Sequence, residues 1–144
     1  MLKQRVIKHY QIRNVYPLIG TIISGIFFFF YWNGGFNRFI SLFLVILGLI
    51  IWWVASITLG KYFSIMPKAS GLVQTGIYSK IRNPIYVGVS LTGIGWAVLT
   101  QNSLLILLTF ATVVSSFVRA KLEEEKLFKK FGKKYLDYKE KTWF

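Results

Sequence analysis

Phe39-Ile-Ser-Leu-Phe-Leu-Val-Ile-Leu-Gly-Leu-Ile-Ile-Trp-Trp-Val-Ala-Ser-Ile-Thr-Leu59 is 21 residues long and carries no charge. At ~1.5 Å per residue such a helix matches a hydrocarbon core of ~30 Å, so the segment reads as a membrane span. Upstream, Val15–Trp32 is a second uncharged run, separated from the first by the turn signal Asn33-Gly34-Gly35. It follows a basic start, as a signal peptide would. It ends in Phe-Phe-Phe-Phe-Tyr-Trp rather than in the small residues a cleavage site needs. We therefore read it as a retained helix with an interfacial aromatic end.

Downstream, Lys61–Arg82 is a polar loop containing Pro67, Gly71 and Gly76. Ile85–Leu99 and Leu104–Val118 are two further apolar runs, and Thr100–Ser103 is the turn between them. The spacing predicts an antiparallel hairpin of membrane helices. Beyond Val118, Arg119–Phe144 is charged, with apolar residues every three to five positions. That pattern suits an amphipathic helix broken near Gly132, with Trp143 and Phe144 at the membrane interface. The expected architecture is all-α: a single integral membrane domain over residues 1–144, with about four spans and a C-terminal amphipathic segment.

Charge orients this arrangement. The chain has 144 residues, 18 Lys+Arg and 5 Asp+Glu. Four spans place the N-terminus, the middle loop and the tail on one side, with 17 of the 18 basic residues; only Arg38 falls on the other. The positive-inside rule then puts both termini in the cytosol. The same asymmetry, with attraction to anionic headgroups, accounts for the basic excess without nucleic acid. With no targeting segment read, the compact chain points to a prokaryotic cell membrane.

Composition excludes several chemistries. There is no Cys, hence no thiolate nucleophile or thiolate metal site. The single His9 leaves no bis-His haem and no His-rich zinc centre, and nearly excludes a Ser-His-Asp triad. No metal site is expected. All five carboxylates lie between Glu123 and Glu140, so any site needing one must recruit the tail. Gly93-Ile-Gly95 begins like a dinucleotide fingerprint, but Val98 stands where the third Gly belongs, inside an apolar helix. Gly88, Thr92 and Gly95 read instead as a small-residue face for close helix approach.

Two segments carry candidate chemistry. In Ser70–Gly88, Asn83-Pro84 is a helix start: Asn caps, and Pro is favoured at the first helical position. Arg82 adds a fork of donors beside helix N–H groups able to hold an anion. The same residues also read as a capped helix with a snorkelling arginine. In Arg119–Glu125, the first carboxylates of the chain stand at a helix exit on the predicted face of Arg82. The plainer reading is a solvated helix in which Glu125 pairs with Lys129.

Together, LVQTGIYSKIRNPIYVG at 72–88 and EEEKLFKKFGKKYLDY at 123–138 resemble the isoprenylcysteine carboxyl methyltransferase-like integral membrane methyltransferases, relatives of the phospholipid N-methyltransferases. The resemblance covers about residues 59–140 and is specific for the superfamily, not for the substrate. It implies S-adenosylmethionine as cofactor, bound from the cytosolic side, and a lipophilic or lipid-linked acceptor in the membrane, with a carboxylate or other O-nucleophile favoured. The family's loop maps onto Gly71, Leu72 and Val73, then Gly76 and Tyr78. Its Arg-His-Pro-x-Tyr element maps onto Arg82, Asn83, Pro84 and Tyr86, and its Glu pair onto Glu123 and Glu124, with Glu125 as the extra. Arg119 matches an Arg on the substrate side, so Arg119 and Glu123 are the candidate catalytic residues. Arg82 and the Pro84 helix start suit the cofactor carboxylate; Glu123 or Glu124 suits its cationic groups or hydroxyls; Tyr78 and Tyr86 suit adenine or the sulfonium.

Two departures stand out. Asn83 replaces the family's His, and Ser70 stands where relatives often carry another. An Asn serves where that His makes a hydrogen bond and fails where it acts as a base. Two other functions are kept as alternatives: an NADPH-dependent membrane reductase of the sterol-reductase type, which shares a similar C-terminal hairpin and loop but wants more spans and extra cationic groups for the phosphates, and an inactive membrane scaffold of the same fold, which Asn83 favours.

Overall fold

The computed structural model describes residues 2–31, 36–60 and 71–144, with side chains described for 15–31, 37–60 and 71–144. The expected turn at Asn33–Gly35, the basic residues Lys61 and Lys68, and Ser70 lie outside the described residues. The described elements are helical: α1 (Leu2–Tyr31), α2 (Phe36–Leu59), a short 3-10 turn (Gly76–Ser79), α3 (Pro84–Thr100), α4 (Ser103–Phe131) and α5 (Lys133–Glu140). One isolated bridge joins Ile81 to Trp143. Two helices are long and apolar enough to cross a membrane, Asn37–Leu59 and Ser103–Phe131; Val15–Tyr31 and Pro84–Thr100 are shorter apolar helices.

The main packing lies between α2 and α3, and small residues make it close. A Cβ on Gly88 would stand 2.7 Å from the Gly48 carbonyl oxygen and 2.8 Å from the Trp52 nitrogen. One on Gly95 would stand 2.9 Å from the Ser41 oxygen. The two backbones therefore touch along the face expected for Gly88, Thr92 and Gly95, and Thr92 turns its hydroxyl back to the Gly88 carbonyl at 2.9 Å. In hydrocarbon, where burial of apolar surface gives helices no drive to associate, such contact supplies the dispersion that holds them. Away from this seam the outward faces are apolar: Phe29, Phe43, Leu107 and Phe110 are all largely exposed.

The expected hairpin is present, with one correction. Its turn is built by Asn102, whose Oδ1 accepts from the nitrogens of Leu104 and Leu105, while Gln101 takes a left-handed conformation (φ 50°). The helix that starts there does not stop at Val118. It continues unbroken to Phe131, and only then does Gly132 (φ 50°) turn the chain into α5. At ~1.5 Å per residue α4 is ~43 Å long, so its apolar run has ample reach and its charged half projects beyond. The change of composition at Val118 marks a change of surroundings rather than a helix end.

Candidate active site

The end of the chain folds back onto the start of α3. Trp143 donates its backbone N–H to the Lys80 carbonyl at 3.0 Å, and the backbone N–H groups of Arg82 and Asn83 donate to the Phe144 oxygen at 2.7 and 3.0 Å. The Phe144 ring packs on Phe117 of α4, centroids 4.8 Å apart. Tyr138 donates its hydroxyl to the Tyr78 carbonyl at 2.7 Å. Burial pushes that hydroxyl up to about 12, the nearby Glu124 charge raising it further and Arg82 opposing, so it keeps the proton it donates. The tail thus roofs the loop, the α3 start and the projecting half of α4.

Glu124 stands at the middle of this roof. Its Oε1 accepts from Arg82 Nε at 3.1 Å and from Asn83 Nδ2 at 3.0 Å, and its Oε2 lies 3.4 Å from Lys139 Nζ. Arg82 Nη1 donates to the carbonyls of Thr142 at 2.7 Å and Lys139 at 3.2 Å. Burial alone raises the Glu124 carboxyl, but the hydrogen bond and charge of Arg82, the Asn83 amide and Lys139 outweigh it and hold it below its ordinary value. The side chains of Arg82 and Glu124 are 14% and 17% exposed. This pair is therefore far better shielded than a surface ion pair.

Beneath the roof is a cavity of about 370 Å³, within the range of small-molecule sites. Of the residues expected to bind cofactor or substrate, it brings together Gly71, Leu72, Val73, Tyr78, Arg82, Asn83, Tyr86, Arg119 and Glu123. Pro84 and Glu124 do not line it. Pro84 is buried as the first residue of α3, and Glu124 faces the roof. Two further expectations are corrected. Asn83 occupies the N-cap position of α3 but its side chain makes no cap; its amide is taken by Glu124. Glu125 forms no ion pair with Lys129; it is Glu124 that pairs, with Arg82 and Lys139.

Glu123 faces the cavity and accepts the Tyr86 hydroxyl at 2.6 Å. Burial raises its carboxyl, against the lowering by that hydrogen bond and by the charges of Arg119 and Lys126. Arg119 precedes it by four residues and shares its helical face. Deeper in, Thr112, Ser115 and Ser116 continue this face up α4. The sequence reading missed these hydroxyls. The signal was present: polar residues three, four and seven positions before Arg119, in an otherwise apolar run. The opposite wall is apolar, with Trp52, Leu59, Ile85 and Val89. One end of the cavity thus offers both charge signs and phenols; the other is lined from hydrocarbon-facing helices.

Such a cavity has one end suited to a polar solute and one to a lipophilic one. The comparisons with known proteins give the family. The family described as "Phospholipid methyltransferase" matches residues 31–134. Protein-S-isoprenylcysteine O-methyltransferase A of Arabidopsis thaliana is 30% identical, over 94% of this chain and 72% of its own length. The Saccharomyces cerevisiae protein-S-isoprenylcysteine O-methyltransferase is 36% identical over 69% of this chain and 44% of its length. The solved structure of a eukaryotic intramembrane Ras methyltransferase, an isoprenylcysteine carboxyl methyltransferase, superposes with a TM-score of 0.64 at 27% identity, covering 92% of this chain and 50% of that one. The chain belongs to the phospholipid methyltransferase family, in its isoprenylcysteine carboxyl methyltransferase-like branch of membrane methyltransferases. It spans about half the length of the solved relative. The relatives named are eukaryotic and bring no support to a prokaryotic membrane.

Proposed function

We propose that the protein transfers the methyl group of S-adenosylmethionine to a lipophilic acceptor held in the membrane, with a carboxylate or other oxygen nucleophile favoured. The observation that carries the reading is one cavity whose polar end joins the two motif segments, 71–86 and 119–123, and whose other wall is apolar. The residues fit the cofactor. Arg82, whose Nη2 donates to no described residue, suits its carboxylate. Glu123 suits its ammonium or ribose hydroxyls, and the phenols of Tyr78 and Tyr86 suit its adenine or sulfonium. When bound, S-adenosylmethionine supplies an electrophilic methyl group, and the step needs no metal.

The chain's own part is alignment and exclusion of water. Arg119 orients an anionic or polar acceptor, and an acceptor that is already an anion needs no general base. Glu123 shapes the donor side. The charged donor enters from the cytosol and the acceptor from the bilayer, which fits four spans with both termini cytosolic. The test is equilibrium binding of S-adenosylmethionine, S-adenosylhomocysteine and NADPH to purified protein in detergent, followed by incubation of membranes with methyl-labelled donor. Binding of the first two and a labelled lipid-soluble product are expected. Binding of NADPH alone would replace the reading with a reductase, and binding without any labelled product would leave a scaffold.

A further inference from the structure

We propose that Ser116 selects among acceptors: its hydroxyl donates to a second oxygen of the bound molecule, set about one helical turn deeper than the oxygen that Arg119 holds. The favoured ligand is then a lipophilic acid with a carbonyl or hydroxyl oxygen on the third carbon beyond its carboxyl group, and an unbroken fatty chain is disfavoured. The assignment rests on the methyl-transfer reading above and adds to it a selecting residue and a feature of the substrate. Ser116 lines the cavity and is only 6% exposed. It precedes Arg119 by three residues, about 4.5 Å along α4 at ~1.5 Å per residue. An extended path of three bonds covers ~3.8 Å, close to that rise.

The hydroxyls beside it on α4 are committed. Thr112 donates to the Leu108 carbonyl at 2.8 Å, and Ser115 to the Thr112 carbonyl at 2.9 Å. A mid-helix serine ordinarily turns its hydroxyl to the carbonyl one turn back. For Ser116 that is the Thr112 oxygen, which Ser115 already engages, and Ser116 donates to no described residue. Among the described residues, the polar atoms that are both buried and without a partner belong to Ser24, Ser56, Trp96 and Tyr135. The Ser116 oxygen is therefore open, and the space it opens on is the cavity. Packing does not account for this hydroxyl. Ser116 and Ala120 are the buried residues of α4, four apart on one face. Close packing there needs a small side chain, which alanine supplies equally. A hydroxyl without an acceptor in apolar surroundings costs free energy, and the opposite wall of Trp52, Leu59, Ile85 and Val89 carries no acceptor side chain. An oxygen on the bound molecule at this depth meets the need.

The test is a competition between 4-oxopentadecanoic acid and pentadecanoic acid at equal concentration, with occupancy of the full chain read by native mass spectrometry from detergent micelles. The two acids match in length and charge and differ at one carbon, and their partition into micelles cancels when variants are compared. The parent should hold the oxo acid in excess. A neutral hydrogen bond is worth about two- to twelvefold, so the occupancy ratio should fall by that factor in Ser116→Ala. Ser116→Cys nearly keeps the volume but donates weakly, so its ratio should fall as well. A parent that holds both acids equally overturns the role. So does a ratio that survives Ser116→Ala, including a variant that loses both acids alike, which marks packing, and so does a Cys variant with the parent's ratio. Methyl-labelled S-adenosylmethionine is then added to the same mixtures. If the ratios fall as expected and neither acid is methylated, the methyl-transfer reading loses support while the selection by Ser116 stands. If the acids are methylated and the ratio does not move, the role of Ser116 falls alone.

Discussion

Replacing Glu124 with Gln keeps the side chain's shape and removes its charge, and it separates a structural role from a cofactor-binding one. In the folded chain the carboxylate accepts from Arg82 Nε at 3.1 Å and Asn83 Nδ2 at 3.0 Å. A hydrogen bond to a charged group is worth ~1.5–3 kcal/mol. The third contact, to Lys139, involves a half-exposed ammonium and adds little. An amide oxygen can still accept from Arg82, so the loss is not that of a fully abandoned buried charge, which runs to ~3–5 kcal/mol. We expect a destabilisation of about 2–3 kcal/mol at neutral pH, or about 4–12 °C in melting temperature, measured by thermal unfolding in detergent. The sign with pH is fixed as well. The Glu124 carboxyl is held below its ordinary value. Its contribution is therefore complete above the unfolded value of ~4.3 and is lost as pH falls through the lower folded value. The gap between parent and Glu124→Gln should close on acidification and stay constant from pH 6 to 8. Because Glu124 does not line the cavity, S-adenosylmethionine affinity measured well below the melting temperature should change much less than in Arg82→Ala. A variant that melts like the parent at pH 7, or one that keeps its stability and loses cofactor affinity tenfold, would refute the roof as the role of this residue.

Other outcomes follow from the same geometry. Arg119→Ala should lower turnover with the native acceptor far more than it weakens S-adenosylmethionine binding, read as kcat against Kd; full-rate transfer in this variant rules out its role. Tyr86→Phe removes the 2.6 Å hydrogen bond that lowers the Glu123 carboxyl. That carboxyl then rises further, and if its charge is needed the acid limb of the pH–rate profile moves to higher pH; a limb that stays in place excludes Glu123 as the titrating group. Gly88→Leu drives a side chain into the Gly48 and Trp52 backbones, where even a Cβ has only 2.7–2.8 Å. Overpacking costs ~1–3 kcal/mol or more, so the variant should give little folded protein by size-exclusion chromatography, and a parent-like yield would contradict the α2–α3 contact. Topology is read with a single Cys at Asn102 or at Lys133 in this Cys-free chain: an impermeant reagent outside cells should label the first and not the second.

The sequence exposed what hydropathy and local chemistry control. The 39–59 run, the 85–99 and 104–118 hairpin and the break at Gly132 follow from composition and spacing, and the structure has helices over each run and a turn at each break. The small face of Gly88, Thr92 and Gly95 was legible because glycine at helical spacing has few other uses in hydrocarbon. What stayed hidden depends on partners distant in sequence. Nothing local distinguishes Glu123 from Glu124, yet successive helical positions point about 100° apart. One carboxylate enters the cavity and the other enters the roof. The Glu125–Lys129 pair was a sound local expectation that is not formed, while Glu124 draws Lys139 and Arg82 from 15 and 42 residues away. The return of Trp143 and Phe144 to Lys80–Asn83 left no periodic trace at all, since two short stretches of backbone pair there without a strand pattern.

Asn83 is where these two kinds of information meet. The family resemblance implies a His at this position, which an Asn replaces where the His makes a hydrogen bond and not where it acts as a base. In the structure its amide is buried and donates to Glu124, which in turn holds Arg82, whose Nη1 grips two carbonyls of the tail. The work required at this position is to donate one hydrogen bond to a carboxylate that is ionised near neutral pH. An amide N–H does that as well as an imidazole N–H does. A His at this point would take Asn83's place as a donor to Glu124 beside the Arg82 guanidinium, so its ring N–H would be engaged in the roof. The substitution therefore keeps the interaction the fold needs. On the proposed reading, catalysis then depends on how Arg119 presents the acceptor, and Arg119→Ala is the variant in which a loss of function is read.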